Sequence, residues 1–208
     1  MALEHLPEDS YLTLKRESEG VYKEKGSKFL AFAFPIKDEN DIREHLEQLR
    51  KNYYDARHHC YAYILGKNQD LYRANDDGEP NHSAGDPILG QIRSNGLTNV
   101  MIVVVRYFGG TKLGVSGLIN AYKTAAAEAI ANNEIITAIL HDKVKIDFEY
   151  LNMNEVMKLI KEYDLQILEQ HFDNQCQLVV EVRQKHLEEI TLKISDLNRV
   201  KIHILGDS

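Results

Sequence analysis

The sequence predicts an α+β protein of two domains, residues 1–136 and 137–208, and three observations carry that reading. After residue 137, apolar alternation and helical stripes follow one another in the order β-α-β-β-α-β. Before it, Val100 to Val105 is an unbroken apolar run, the pattern of a central strand buried on both faces. That run feeds Arg106-Tyr-Phe-Gly-Gly-Thr-Lys-Leu-Gly114 and then an alanine-rich helix. A length of 208 residues suits two domains of ordinary size.

In the first domain, Tyr11 to Ile36 reads as two strands turning at Gly20 or Gly26. Ile42, His45, Leu46 and Leu49 form a helical stripe, and Tyr53-Tyr54 lead into a further strand, His58 to Leu65. Asp86 before Pro87 reads as an N-cap followed by a first-turn proline, and Gly96 ends that short helix. The helix after Gly114 reaches about Asn132, where Ala121, Ala125, Ala126 and Ala129 permit close packing on a sheet. Asn132 to Ala138 reads as the linker.

In the second domain, Val144, Ile146 and Phe148 alternate in one strand. Asn152 and Glu155 have capping-box spacing ahead of the stripe Met153, Val156, Met157, Ile160. Leu165 to Phe172 is a strand whose phase slips at Leu168, and Asp173-Asn174 turns it into one carrying Cys176, Leu178, Val180 and Val182. Leu187, Ile190, Ile194 and Leu197 mark a helix, and Val200, Ile202 and Ile204 a last strand. Right-handed crossovers make this order a ferredoxin-like sandwich, one antiparallel sheet backed by two helices. It holds no catalytic constellation.

Composition narrows the function. The formal net charge is −7, and neither half is basic, which argues against a whole-molecule grip on nucleic acid. Yet from Ile88 to Ala127 there is no Asp or Glu, while Arg93, Arg106, Lys112 and Lys123 fall inside. A strand running through Gly109-Gly110 into a helix presents N–H groups without intrahelical partners, at the positive end of the helix dipole. The expected anion- or nucleic-acid-binding set is Arg106, Tyr107, Gly109, Gly110, Lys112 and Gly114. In it, Arg106 is a bidentate fork, Lys112 a point charge, and one of Tyr107 and Phe108 a stacking ring. The glycines equally suit a tight strand-to-helix connection. The loop is neither a Walker loop nor a dinucleotide fingerprint.

Just upstream, Asp76, Asp77 and Glu79 form an acidic loop. It reads either as an Asp-Gly-Pro turn or as a Mg²⁺ and acid–base site. His58, His59, Cys60 and His82 lack zinc spacing, and adjacent strand residues face opposite ways. Two cysteines far apart form no disulfide framework, so Cys60 reads as a buried free thiol in a reduced, cytoplasmic setting. The acidic N-terminus does not resemble a secretory signal, and no run is long enough to span a bilayer.

Asp76-Asp-Gly-Glu-Pro80, Ser83-Ala-Gly-Asp-Pro87, Arg106-Tyr-Phe-Gly-Gly110 and Lys112-Leu-Gly114 together resemble the signature of the IMPACT/YigZ family. Asn81-His82 and Val115-Ser116-Gly117 depart from it. The resemblance implies a first domain with the fold of the C-terminal part of a small-subunit ribosomal protein. The domain pair would be similar to the last two domains of elongation factor G, with domain IV of that translocase matching the first. It also implies a translation-associated role: a binding protein contacting RNA, the ribosome or a translation-related protein. A Mg²⁺-dependent phosphate-handling hydrolase and a protein–protein adaptor are the alternatives. No catalytic residue, metal, cofactor or membrane partner is assigned.

Overall fold

The computed structural model describes residues 7–173 and 175–207; residues 1–6 of the acidic N-terminus and Asn174 of the expected turn lie outside them. The chain divides into two compact units. One is Tyr11–Ala138; the other comprises Ile139–Ser208 and the segment before Tyr11. Among the described residues, no helix is long and apolar enough to cross a membrane.

The first unit contains β1 (Ser10–Leu14), β2 (Ser18–Glu24), β3 (Ser27–Pro35), α1 (Glu39–Asn52), β4 (His58–Leu65) and β5 (Leu71–Asn75). After them come α2 (Gly85–Ser94), β6 (Val100–Tyr107), α3 (Gly114–Ala131) and β7 (Ile135–Ile139). Five of the strands form one sheet in the order β2-β3-β6-β4-β5, and every neighbouring pair in it is antiparallel. Val100 to Val105 sits at its centre, fully buried on both faces. Ile102 and Val104 pack with Ile88, Ile92, Ala121 and Ala125 under α2 and α3. Met101, Val103 and Val105 pack with Ile42 and Leu49 under α1. Helices on both faces explain why this strand is apolar at every position rather than at every second one.

In this unit two expectations are corrected and one strand is added. The N-terminal stretch holds three strands, not two. Lys25 and Gly26 take φ of 46° and 79°, the left-handed pair a two-residue hairpin needs between Glu24 and Ser27. The expected linker, Asn132 to Ala138, instead carries most of β7, which pairs with β1. The edge strand β5 was not anticipated; most of its residues are exposed, so it lacks an apolar alternation.

The second unit continues with β8 (His141–Glu149), a 3-10 turn, α4 (Met153–Glu162), β9 (Gln166–Phe172), β10 (Gln175–Arg183), α5 (Gln184–Ser195) and β11 (Val200–Asp207). Its sheet runs β11-β8-β10-β9. Val144, Ile146, Cys176, Leu178 and Val180 are buried with Val156, Ile160, Ile190 and Ile194 of the two helices. The β9–β10 register skips Leu168, where the alternation slips in sequence: Val179 faces Glu169 and Val180 faces Ile167. Asn152 does not form the expected capping box. It makes no cap bond to the backbone of α4, and its amide donates to the Asn198 carbonyl at 3.2 Å. Asp9 anchors the preceding segment to this unit through Arg183, Nη2 to Oδ1 at 3.0 Å.

Candidate functional site

The two loops singled out in the sequence meet at one end of the central strand. Arg106 is the last buried residue of β6, and its Nη1 donates to Glu79 Oε1 at 2.5 Å. Only 7% of the Arg106 side chain and 4% of Glu79 are exposed. The same Glu79 oxygen accepts from the Tyr122 hydroxyl of α3 at 2.8 Å. That hydroxyl in turn accepts from the Cys60 thiol at 3.3 Å. Burial pushes both the Cys60 thiol and the Tyr122 phenol well above their ordinary pKa, so both stay protonated and act as donors. The result is a polar chain across the α2–α3 face of the sheet, tying the acidic loop to β4, β6 and α3.

The other acids of that loop are engaged as well. Asp76 Oδ1 accepts from the N–H groups of Ala84 and Gly85 at 3.0 and 2.8 Å, and Oδ2 from His82 N–H at 2.8 Å. It therefore supplies the carboxylate at the start of α2 that Asp86 was expected to supply. Asp86 lies within the first turn of that helix and contacts His82 Nδ1 at 2.6 Å. Asp77 takes φ of 40°, accepts from His59 N–H at 2.6 Å, and its carbonyl contacts His58 Nδ1 at 2.8 Å. Gly78 and His82, with φ of 85° and 66°, complete the turn. Among the described residues, no three His, Cys, Asp or Glu side chains come together as a metal site would require. His58 registers with Arg106 and His59 with Val105, so the two imidazoles face opposite sides of the sheet.

The glycine turn divides by role. A Cβ on Gly109 would lie 1.9 Å from the carbonyl carbon of Gly26, so here two backbones touch. The Gly109 N–H, expected to be open to an anion, donates to Ser27 Oγ at 3.1 Å. Gly110 and Gly114 have φ of 87° and 74° with open space around them. Tyr107 is half-buried, and its hydroxyl donates to Asp55 at 2.7 Å. Arg106, expected as a phosphate fork, is instead a buried partner of Glu79. Gly110, Lys112 and Gly114 remain at the surface. Among the described residues no side chain caps α3, and its first turn holds no acid.

The structure adds residues that were not singled out from the sequence. Because Gly26 abuts Gly109, the β2–β3 hairpin delivers Lys23, Lys25 and Lys28 to this corner. All are exposed, as is Lys112, and none of the four is in an ion pair among the described residues. Lys23 and Lys28 stand opposite each other in register, and Lys28 stands opposite Tyr107. Phe108, next in the chain after Tyr107, is 56% exposed. The only hint in the sequence was the lysine spacing around Gly26, and nothing there linked it to Gly109.

Residues 25–130 match the model of the Impact N-terminal domain family, a span that contains every residue of this corner except Lys23. A Haemophilus influenzae protein described as an IMPACT family member is 30% identical, over 83% of this chain and 84% of that one. The chain belongs to the IMPACT family. The family member YvyE of Bacillus subtilis is 28% identical over 94% of this chain and 90% of its own. A solved structure described as a hypothetical protein aligns with a TM-score of 0.73 at 26% identity, covering 95% of this chain and 97% of that one. This IMPACT family chain therefore shares a mixed α/β fold with that neighbour along almost its whole length.

Proposed function

We propose that this IMPACT family protein is a translation-associated RNA-binding protein. Its contact surface is the corner formed by Lys23, Lys25, Lys28, the exposed turn from Phe108 to Lys112, and the open start of α3. One observation carries the reading: Lys112, with no ion pair among the described residues, precedes the uncapped N-terminus of α3 in a stretch without acids, and the contact of Gly26 with Gly109 brings the hairpin bearing Lys23, Lys25 and Lys28 against the same turn. A phosphodiester backbone suits such a surface, because each neutralised phosphate releases counterions. Arg106 and Glu79 support it from beneath by fixing the end of β6. On this reading the first unit is the ribosomal-protein-like domain and the second a ferredoxin-like sandwich, whose observed strand order agrees with that fold.

The test is binding of a short RNA measured across salt concentrations. Lys112→Ala and Lys28→Ala should each weaken binding and reduce the slope of log K against log salt by about one phosphate's worth. Unchanged slopes in both variants would favour a protein–protein adaptor. Metal-dependent turnover of nucleotides or phosphoesters would favour the hydrolase.

A further inference from the structure

Phe108 is the most exposed large apolar side chain at this corner, and its position is not accidental. The ring follows a strand that is buried from Val100 to Arg106. The Arg106 guanidinium lies over it at 5.7 Å from the centroid and over Phe29 at 5.4 Å. That guanidinium is itself immobilised by Glu79 and nine-tenths buried, and its Nε has no hydrogen-bond partner among the described residues. Among the described residues, no aromatic ring packs against Phe108. One face of the ring is therefore backed by a fixed cation, while the ring as a whole remains largely open to solvent. Holding the ring in advance lowers the ordering cost of anything that stacks on it.

We propose that Phe108 is a stacking platform for an unpaired base, making single-stranded RNA the ligand class of this surface. The inference rests on the RNA-binding reading above and deepens it. The unpaired lysines call for an anionic partner, and the open ring calls for one with flat apolar faces. A single strand offers both, whereas in a duplex the base faces are occupied by their neighbours. Tyr107, the ring named in the sequence-derived site, is half-buried and bonded to Asp55, so it is not the platform.

The chain contains no tryptophan, so Phe108→Trp introduces a single tryptophan at the proposed contact, whose emission can be excited selectively over that of the 11 tyrosines. Titration with a single-stranded oligoribonucleotide should quench it saturably, and a blunt RNA duplex of equal length should not. Phe108→Ala should weaken single-strand binding about tenfold, the scale of one lost base stack, while leaving the salt slope unchanged. Phe108→Leu keeps apolar bulk without a stacking plane and should weaken it similarly. Wild-type affinity in both the alanine and leucine variants, or equal quenching by duplex, would overturn the platform while salt-dependent RNA binding stood. A wild-type protein with no salt-dependent RNA binding at all would remove the RNA-binding reading and the platform together.

Discussion

Glu79 shows how much a single side chain can carry. Its carboxylate holds Arg106 and Tyr122 in a region from which water is excluded. Replacing it with alanine leaves a buried guanidinium without a counter-charge, at a cost of about 3–5 kcal/mol. Tyr122→Phe removes one donor to a charged acceptor and should cost about 1.5–3 kcal/mol. Urea unfolding of the two variants should rank them in that order; equal midpoints would mean the pair is not coupled as described. His59 makes a different prediction. Burial holds its pKa below the ordinary imidazole value, outweighing Asp77, which favours the charged ring, and joined by Arg50, which opposes it. A depressed folded value means the unfolded chain takes up the proton first. The contribution to stability is therefore complete above the ordinary value of about 6.5 and is lost as pH falls below it. His59→Gln should flatten this part of the stability profile, with unfolding midpoints at neutral and mildly acidic pH as the readout. Parallel profiles for the two proteins would contradict it.

Among the elements, glycines in similar-looking positions have opposite requirements. Gly109→Ala would force apart the backbones of the β2–β3 hairpin and the turn after β6, and should destabilise the first unit and separate the hairpin lysines from Lys112. Gly90 is exposed within α2 with nothing near its missing Cβ. Gly90→Ala should therefore stabilise by about 0.5–1 kcal/mol through helix propensity. Thermal unfolding should move the two variants in opposite directions. Neither role is written in the local sequence, because Gly109 answers to Gly26, far away along the chain. The same reason explains what else was hidden. The cap of α2 comes from Asp76, outside the helix and its flanking residues, so local cap rules pointed to Asp86. By contrast the bulge at Leu168 was legible, since a slip in register moves apolar residues to the wrong face within the strand itself. The buried β6 was legible for a similar reason: burial on both faces leaves a continuous apolar run.

For the molecule as a whole, the βαββαβ element order of the second unit could be read because strong periodicities alternate there without interruption. The candidate site was only partly readable. Its acid-free window and glycine turn stood out, but the sequence could not tell the buried Arg106 from the exposed Lys112, nor bring in the hairpin lysines. A net charge of −7 also means that any grip on RNA is local, and should weaken steeply as salt rises. The pairing of β1 with β7 has a consequence of another kind. Lys15 N–H donates to the Glu134 carbonyl at 3.0 Å, so the first unit begins and finishes on neighbouring strands. A piece of chain whose ends already meet can be spliced into a surface loop of an unrelated host, or circularised and reopened elsewhere, without stretching the backbone. Residues 11–138 are in that sense a portable cassette, and the corner bearing Phe108 and its lysines would travel with them intact.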